Sequence, residues 1–382
     1  MKRGFIILFF LICLLPCVQM LMDLPDAPAV AEHLSPLPDA EFADTPFVWL
    51  KQSNIWFQDH FGYRSFFIRL KEQIDYDLFH TSSRVYVGKD GQLFYRSVVD
   101  IEQPEIQEAL RLHEDQILRN VGRLADALAK RGVTLIVTFN LMSNRFIPEK
   151  LPGSVPHPLG EPRIHHFLQR LRQIQNVDYF DTTAILQDMP KDQSLFPKTD
   201  FHWTDFAAAT AGRELIRVLA EKENRAPPQW QPLQKAVTPN YSGGIADAMP
   251  LLLGNLREEK IGILPDIPAP DGASETRDDD TINYVFHTKT YNPTLLKPMF
   301  LLGDSFSFGL LSEGIAHLFN GFYIMRLGPN TLINQAMVVF PPDAKYFMIQ
   351  AIEVQKGFFN SFTNDDEVTR AIETFNQRPL TR

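Results

Sequence analysis

The chain has 382 residues, 45% hydrophobic and 22% charged, a globular composition with room for one large α/β domain with additions or two smaller ones. Its net charge of −9 argues against binding nucleic acid or an anionic membrane surface through general electrostatics. The two cysteines, Cys13 and Cys17, both lie in the N-terminal apolar stretch, so the rest of the chain has neither a disulfide framework nor a cysteine metal site.

Lys2 and Arg3 precede an almost unbroken apolar run from Phe5 to Met22, and no Lys or Arg follows until Lys51. The positive-inside rule then puts the N-terminus in the cytoplasm and the remainder outside. The run exceeds the roughly 7–15 residues of a signal-peptide core and is just long enough to span. Residues 1–22 therefore read as a transmembrane anchor or a signal peptide, with the uncleaved anchor favoured. Residues 23–44, rich in Pro, Asp and Ala, read as a tether.

A single domain is expected over 45–360. Residues 46–79 are amphipathic and aromatic, and read as two helices broken near Gly62 that serve as packing material. Two β-rich runs flank Lys89-Asp90-Gly91 in Val85–Tyr95, and Asp-Gly predicts a hairpin with a primed turn. Pro104 to Lys130 carries Ile106, Leu110, Ile117, Val121, Leu124 and Leu128 on one helical face, and Gly132 reads as its C-cap. Val133 to Phe139 follows as a buried strand, with Asn140 at its end. Arg163 to Ile174 and Val177 to Phe180 repeat the helix–strand order, which is α/β grammar. A loop then holds Lys198-Thr199-Asp200-Phe201-His202-Trp203-Thr204, with Thr204 placed to cap a helix from Asp205 to Ala220.

Residues 223–280 hold many Pro, Gly and Asp and little periodicity, and read as an irregular surface excursion ending in the charge run Asp278-Asp279-Asp280. Thr281 to His287, Met299 to Leu302, Phe322 to Leu327 and Tyr346 to Ile349 are further strands. Met299 to Leu302 leads straight into Gly303-Asp304-Ser305, and a helix-compatible run, Phe306 to Phe319, follows that turn. Residues 361–382 read as a polar, peripheral tail.

A strand, a tight turn and a helix place Ser305 just outside the carboxyl end of a strand, where ligands sit in open α/β sheets. Backbone N–H groups at a helix start can face a negative oxygen there. A serine hydroxyl needs a base to take its proton; His202 can serve, with Asp200 to orient it. Asn140 and Arg326, at strand ends, and Asp304, in the turn, are candidates for oxyanion or substrate contacts. A metal site through His165-His166 is disfavoured, because adjacent helical residues point about 100° apart. No metal or cofactor is expected.

Ser305 in GDSFS and Asp200/His202 in TDFHWT resemble the SGNH-hydrolase-like enzymes that O-acetylate exported polysaccharides, the alginate and exopolysaccharide O-acetyltransferases of the AlgX/AlgJ type. The likeness extends to VYVGKDGQLFY at 85–95, FQDHFGYRSFFIRL at 57–70 and the N-terminal segment, over most of 45–355. It implies a three-layer αβα domain with the motif order permuted, since ordinary SGNH hydrolases carry the serine block early and an Asp-x-x-His block late. It implies Ser305 as nucleophile, His202 as base, Asp200 as orienting acid, and an acetyl-serine intermediate. It also implies a polysaccharide acceptor, a membrane-embedded acyl-transfer partner supplying acetyl groups, and a place on the periplasmic side of a bacterial inner membrane. The hydrolases' Gly-x-Asn-Asp block is not visible, so the second oxyanion donor is unassigned. The alternatives are a carbohydrate esterase with the same triad and a non-catalytic polysaccharide-binding or assembly protein.

Overall fold

The computed structural model describes residues 2–380 except 23, 31–33, 39–44, 103, 156–160, 191–192, 266 and 278–280. The Asp278-Asp279-Asp280 run and parts of the 23–44 tether lie outside these described residues.

The N-terminal apolar run forms α1 (Lys2–Met22), which contains Pro16. Among the described residues no helix is long and apolar enough to cross a membrane. The aromatic stretch forms α2 (Pro46–His60) and α3 (Arg64–Phe79), broken at the expected place by Tyr63 in a left-handed conformation. Asp26 accepts from the N–H groups of Ser65 and Phe66 at 3.1 and 3.2 Å, supplying from the tether the cap that α3 lacks locally. The expected packing role fails for α2, which has no buried residue.

The hairpin pairs β1 (Val85–Val87) with β2 (Leu93–Tyr95). Asp90 and Gly91 both take positive φ and the Gln92 N–H closes on the Lys89 carbonyl, which is a primed turn. Helix α4 (Pro104–Ala129) leads to β3 (Thr134–Asn140), and α5 (Arg163–Leu171) to β4 (Val177–Tyr179). After α6 (Thr182–Gln187) comes α7 (Asp205–Lys222), whose first turn is capped as expected by Thr204 accepting from Ala207 N–H at 3.2 Å.

The 223–280 excursion has more order than its composition predicts. It forms an antiparallel ribbon of β5 (Lys235–Tyr241) and β6 (Glu258–Ile263), then β7 (Ser274–Thr276), which joins the main sheet. A two-stranded ribbon lying mostly in solvent shows no clean alternation, so its pattern was too faint to read.

Strands β8 (Tyr284–His287), β9 (Met299–Gly303), β10 (Gly321–Arg326) and β11 (Tyr346–Ile352) complete a seven-stranded sheet of order β4-β3-β11-β9-β10-β8-β7. β4, β3, β11, β9 and β10 are mutually parallel, and β8 and β7 add an antiparallel edge. Counted from β9, the parallel strands run 2-1-3-4-5, a doubly wound order that the chain enters at its fourth strand. The order reverses between β9 and β11, so the crevice beyond the end of β9 is the topological switch point.

Both faces of the sheet are covered. Leu135, Val137, Phe300, Phe347 and Ile349 pack under α4, α5, α8 (Ile333–Val338), α9 (Lys356–Phe362) and α10 (Asp365–Gln377). Ile136, Met299, Leu301, Phe322 and Met348 pack under α7. That alternation makes three layers. The expected peripheral tail is corrected here: α10 buries Val368, Ala371 and Phe375 against this core, and Asn364 caps it by accepting from the Asp366 and Glu367 N–H groups. Its three acids in the first turn suit the helix dipole.

Candidate active site

The turn after β9 is fastened to the sheet. Asp304 accepts from Phe306 N–H at 3.0 Å and from Ile352 N–H at 2.6 Å, tying the turn to the end of β11. Burial pushes its carboxyl up to about 6, against the lowering effect of those two N–H groups. Asp304 therefore lies behind the turn, and does not face a substrate.

The expected helix at 306–319 is instead two 3₁₀ segments, Ser305–Leu311 and Ile315–Leu318. Local bonds explain the first. The Asp304 carbonyl accepts from both the N–H (3.1 Å) and the hydroxyl (2.6 Å) of Ser307. The Phe306 carbonyl, which an α-helix would use four residues on, accepts from Trp203 Nε1–H at 3.1 Å. Ser305 thus stands half-buried at the first position of a short 3₁₀ helix, where N–H groups lack intrahelical partners.

The Asp-x-His spacing works locally. Asp200 Oδ1 accepts from the His202 main-chain N–H at 3.1 Å, an Asx turn that brings the imidazole alongside, and lies 2.9 Å from Nδ1. A carboxylate only accepts, so Nδ1 carries the proton and Nε2 is left with its lone pair. Nε2 lies 2.7 Å from Ser305 Oγ. The structure thus brings Ser305, His202 and Asp200 together in one hydrogen-bonded line.

Phe201 lies against the His202 ring at 3.9 Å between centroids, and Phe306 follows at 5.1 Å. The Asp200 side chain is 8% exposed and that of His202 is 32%. Burial pushes the Asp200 carboxyl up, but hydrogen bonds from His202 and Tyr241 outweigh it and bring it down to about 2.

The loop that carries the pair is gripped from outside. Glu258 accepts from Lys198 N–H (3.0 Å), Thr199 N–H (2.7 Å) and the Thr199 hydroxyl (2.7 Å). Tyr241 donates to Asp200 Oδ2. Gly243 passes so close that a Cβ there would lie 2.5 Å from the Asp200 Cβ and 2.6 Å from the Thr199 carbonyl oxygen. The 85–95 hairpin braces the other side. Leu93 N–H donates to the Lys198 carbonyl, Gln92 Nε2–H to the Pro197 carbonyl, and the Tyr95 hydroxyl to the Gly244 carbonyl. Sequence reasoning missed Tyr241, Gly243 and Glu258, because their bonds to the loop leave no short-range spacing to detect. The one local signal was the Gly243-Gly244 pair after Tyr241.

The remaining candidates fall elsewhere. Asn140 is buried, accepts from Gln350 Nε2–H at 3.0 Å, and belongs to β3, two strands from β9. At ~4.8 Å per strand that is roughly 10 Å to the side, so it supports the sheet end and does not join the triad. Arg326 pairs in register with Gly303 on the adjacent strand and is exposed, a position on the rim of the switch point. His165 and His166 turn to different acids, Glu161 and Glu114. Among the described residues no cluster of three or more His, Cys, Asp or Glu is placed to hold a metal. A cavity of about 830 Å³ opens between α6 and α7, with Tyr179, Arg213 and Trp230 in its lining and none of the triad.

A family model described as an SGNH hydrolase-like domain, acetyltransferase AlgX, matches residues 85–307. A probable alginate O-acetylase AlgJ of Pseudomonas syringae pv. tomato is 28% identical over 218 residues, 54% of this chain and 53% of the relative. One from Pseudomonas aeruginosa is 28% identical over 178 residues, 45% of this chain and 44% of the relative. The chain spans about half the length of the curated relatives it matches. Bacillus cereus PatB1 shares the fold, with a TM-score of 0.50 at 12% identity over 65% of this chain and 92% of that one.

Proposed function

The chain belongs to the SGNH hydrolase-like acetyltransferase AlgX family, and on that premise we propose that it is a serine-dependent O-acetyltransferase acting on hydroxyls of an exported polysaccharide. The observation that carries this reading is the 2.7 Å contact between His202 Nε2 and Ser305 Oγ, with Asp200 2.9 Å from the other ring nitrogen.

In the first half-reaction Ser305 Oγ attacks the acetyl carbonyl of a donor while His202 Nε2 takes the hydroxyl proton. The Ser305 N–H helps to hold the tetrahedral oxyanion. Collapse expels the donor's leaving group, which receives the proton from His202 and leaves acetyl-Ser305. In the second half a sugar hydroxyl gives its proton to His202 and attacks the acetyl carbon; collapse of that intermediate breaks the ester bond and returns the proton to Ser305. Asp200 keeps the imidazole in the tautomer that both halves need. Arg326, exposed and in register with Gly303, is the proposed contact for the polymer.

The setting belongs to the same proposal. Lys2 and Arg3 before the apolar Phe5–Met22 run support an anchor or export signal that puts the domain on the periplasmic side of the inner membrane. An acetyl donor on that side calls for a membrane-embedded acyl-transfer partner. One observation favours a second reading. The His202 side chain is 32% exposed, which admits water as the acceptor, and the same triad then makes a carbohydrate esterase.

The test incubates the full chain with an acetyl ester, with and without candidate oligosaccharides, and follows products by mass spectrometry. The acetyltransferase reading expects an added acetyl on Ser305 and faster gain of acetyl by sugar than release of acetate. Acetate release that dominates at saturating sugar selects the esterase. An enzyme that never labels Ser305 overturns both.

A further inference from the structure

We propose that Tyr241 is a positioning residue for the catalytic acid, its hydroxyl fixing the plane of the Asp200 carboxylate and the β5–β6 ribbon serving to carry it. The inference rests on the proposed triad and adds to it a member from outside both motifs.

Asp200 has two oxygens with separate duties. Oδ1 takes both bonds from His202. Oδ2 takes the Tyr241 hydroxyl, and without it a buried carboxylate oxygen would lack that donor. The terminal torsion of an Asp side chain is broad, so a bond to one oxygen alone leaves the carboxylate free to swivel. Two bonds from opposite sides fix its plane, and with it the direction from which His202 Nδ1 is held.

Tyr241 is itself held. It pairs with Glu258 across the ribbon, and the Lys260 ammonium lies 5.0 Å from the centre of its ring. Lys260 also lies 3.6 Å from Asp205, in the first turn of α7, the helix that begins just after His202. The ribbon therefore contacts the loop at three successive residues: Glu258 at Lys198 and Thr199, Tyr241 at Asp200. Burial, then the hydrogen bond to Asp200, pushes the Tyr241 phenol above its ordinary value, so it remains a donor across the working range. The titratable groups facing Asp200 are His202, Tyr241 and Tyr95; Glu258 and Asp205 face Tyr241, and Asp304 faces His202.

The test is Tyr241→Phe in the full chain, with 4-nitrophenyl acetate as the probe. The expected result is a roughly 10-fold fall in kcat with KM within about twofold, since the hydroxyl acts through Asp200 and touches no substrate. The acidic limb of the pH–rate profile should move upward, because a carboxylate stripped of this donor is more basic and holds the imidazolium proton more firmly. In an Asp200→Asn background the same change should cost almost nothing further. Losses that multiply in the double variant would show that Tyr241 acts by another route, and would overturn the proposal.

A readout independent of turnover is the downfield proton signal of His202 Nδ1, identified by its loss in His202→Ala. Tyr241→Phe should shift it, and an unshifted signal with unchanged kcat overturns the inference. If Tyr241→Phe does not fold, Lys260→Gln, which removes the cation over the ring together with its pairing to Asp205, should give a smaller loss of the same kind that again vanishes with Asp200→Asn; a loss that persists there counts against it. A wild type that never acylates Ser305 sinks the proposed reaction, whereas an active wild type matched by Tyr241→Phe sinks only this role.

Discussion

Ser305, the proposed nucleophile, and its proposed partners His202 and Asp200 reach the same point by different means. Ser305 rides on the end of a fully buried strand, and its turn is pinned to the neighbouring strand by Asp304. Asp200 and His202 sit in a loop whose position depends on a ribbon, a hairpin and the side chains Tyr241, Glu258 and Gln92. One half of the site is placed by the core, the other by a clamp outside it. The core cannot shift the serine without losing stability, but the clamp can be loosened while the sheet stays folded. Damage to the supports of the two halves should therefore differ in kind: unfolding where the core holds Ser305, slow chemistry where the clamp holds Asp200 and His202.

The largest effect expected is on chemistry alone. Ser305→Ala should abolish acyl-enzyme formation, by roughly 10⁴-fold or more, while the unfolding midpoint hardly moves, because one half-buried oxygen is lost. His202→Ala should be nearly as damaging and not additive with it, since triad members act as a unit. Asp200→Asn should retain more activity, because it disturbs mainly the tautomer and orientation of His202. Intact-mass measurement of the acetylated chain checks all three. Full acetylation of Ser305→Ala would remove the serine from the mechanism.

The converse should hold in the core. Phe375 is fully buried and meets Phe340 edge-on at 5.1 Å between centroids. Phe375→Ala should cost about 3–5 kcal/mol of stability, read by urea unfolding, while the folded fraction acylates at the wild-type rate. A normal unfolding midpoint would mean that α10 does not belong to the cooperative unit.

What was legible in the sequence follows the same division. Met299–Leu302 and Val133–Phe139 read as strands because a strand covered on both faces is a near-continuous apolar run, broken in the second only by Thr134 and Thr138. The Ser305–His202–Asp200 grouping was legible because its two halves are local: Asp200 and His202 are joined by an Asx turn, and Gly303-Asp304-Ser305 ends a strand. The clamp was not, because Tyr241 and Glu258 meet the loop from 41 and 59 residues away. Asp304 sits inside a recognisable motif, yet only the fold shows that it faces Ile352 and not the substrate. Helix α10 is a different case. Val368, Ala371, Ile372 and Phe375 recur at helical spacing behind the cap Asn364, and a polar composition obscured that period.

A middle-sized effect concerns pH. Asp200 is held down to about 2 in the folded chain, chiefly because hydrogen bonds from His202 and Tyr241 outweigh its burial. A carboxyl lowered on folding contributes stability above its unfolded value near 3.9, and that contribution is lost as pH falls through the folded value. The shift corresponds to something on the order of 2–3 kcal/mol. The stability gap between wild type and Asp200→Asn should therefore be present at pH 7 and shrink between about pH 4 and pH 2. A gap independent of pH over that range would mean that the charge of Asp200 contributes nothing to folding.

The smallest effect tests how far the clamp extends. The Tyr95 hydroxyl donates to the Gly244 carbonyl at 2.8 Å, and its ring lies 5.3 Å from Phe201. This joins the hairpin to the connection between β5 and β6, one step further from the acid than Tyr241. Tyr95→Phe removes one hydrogen bond, worth about 0.5–1.5 kcal/mol net, and keeps the ring against Phe201. A clamp that transmits position predicts a loss of a few-fold in kcat, with KM unchanged and the same upward drift of the acidic limb expected for Tyr241→Phe, only weaker. If Tyr95→Phe lowers stability by that amount but leaves kcat and its pH profile intact, the hairpin only holds the ribbon in place. The positioning of Asp200 then ends at Tyr241 and Glu258, the two side chains that touch its loop from the ribbon.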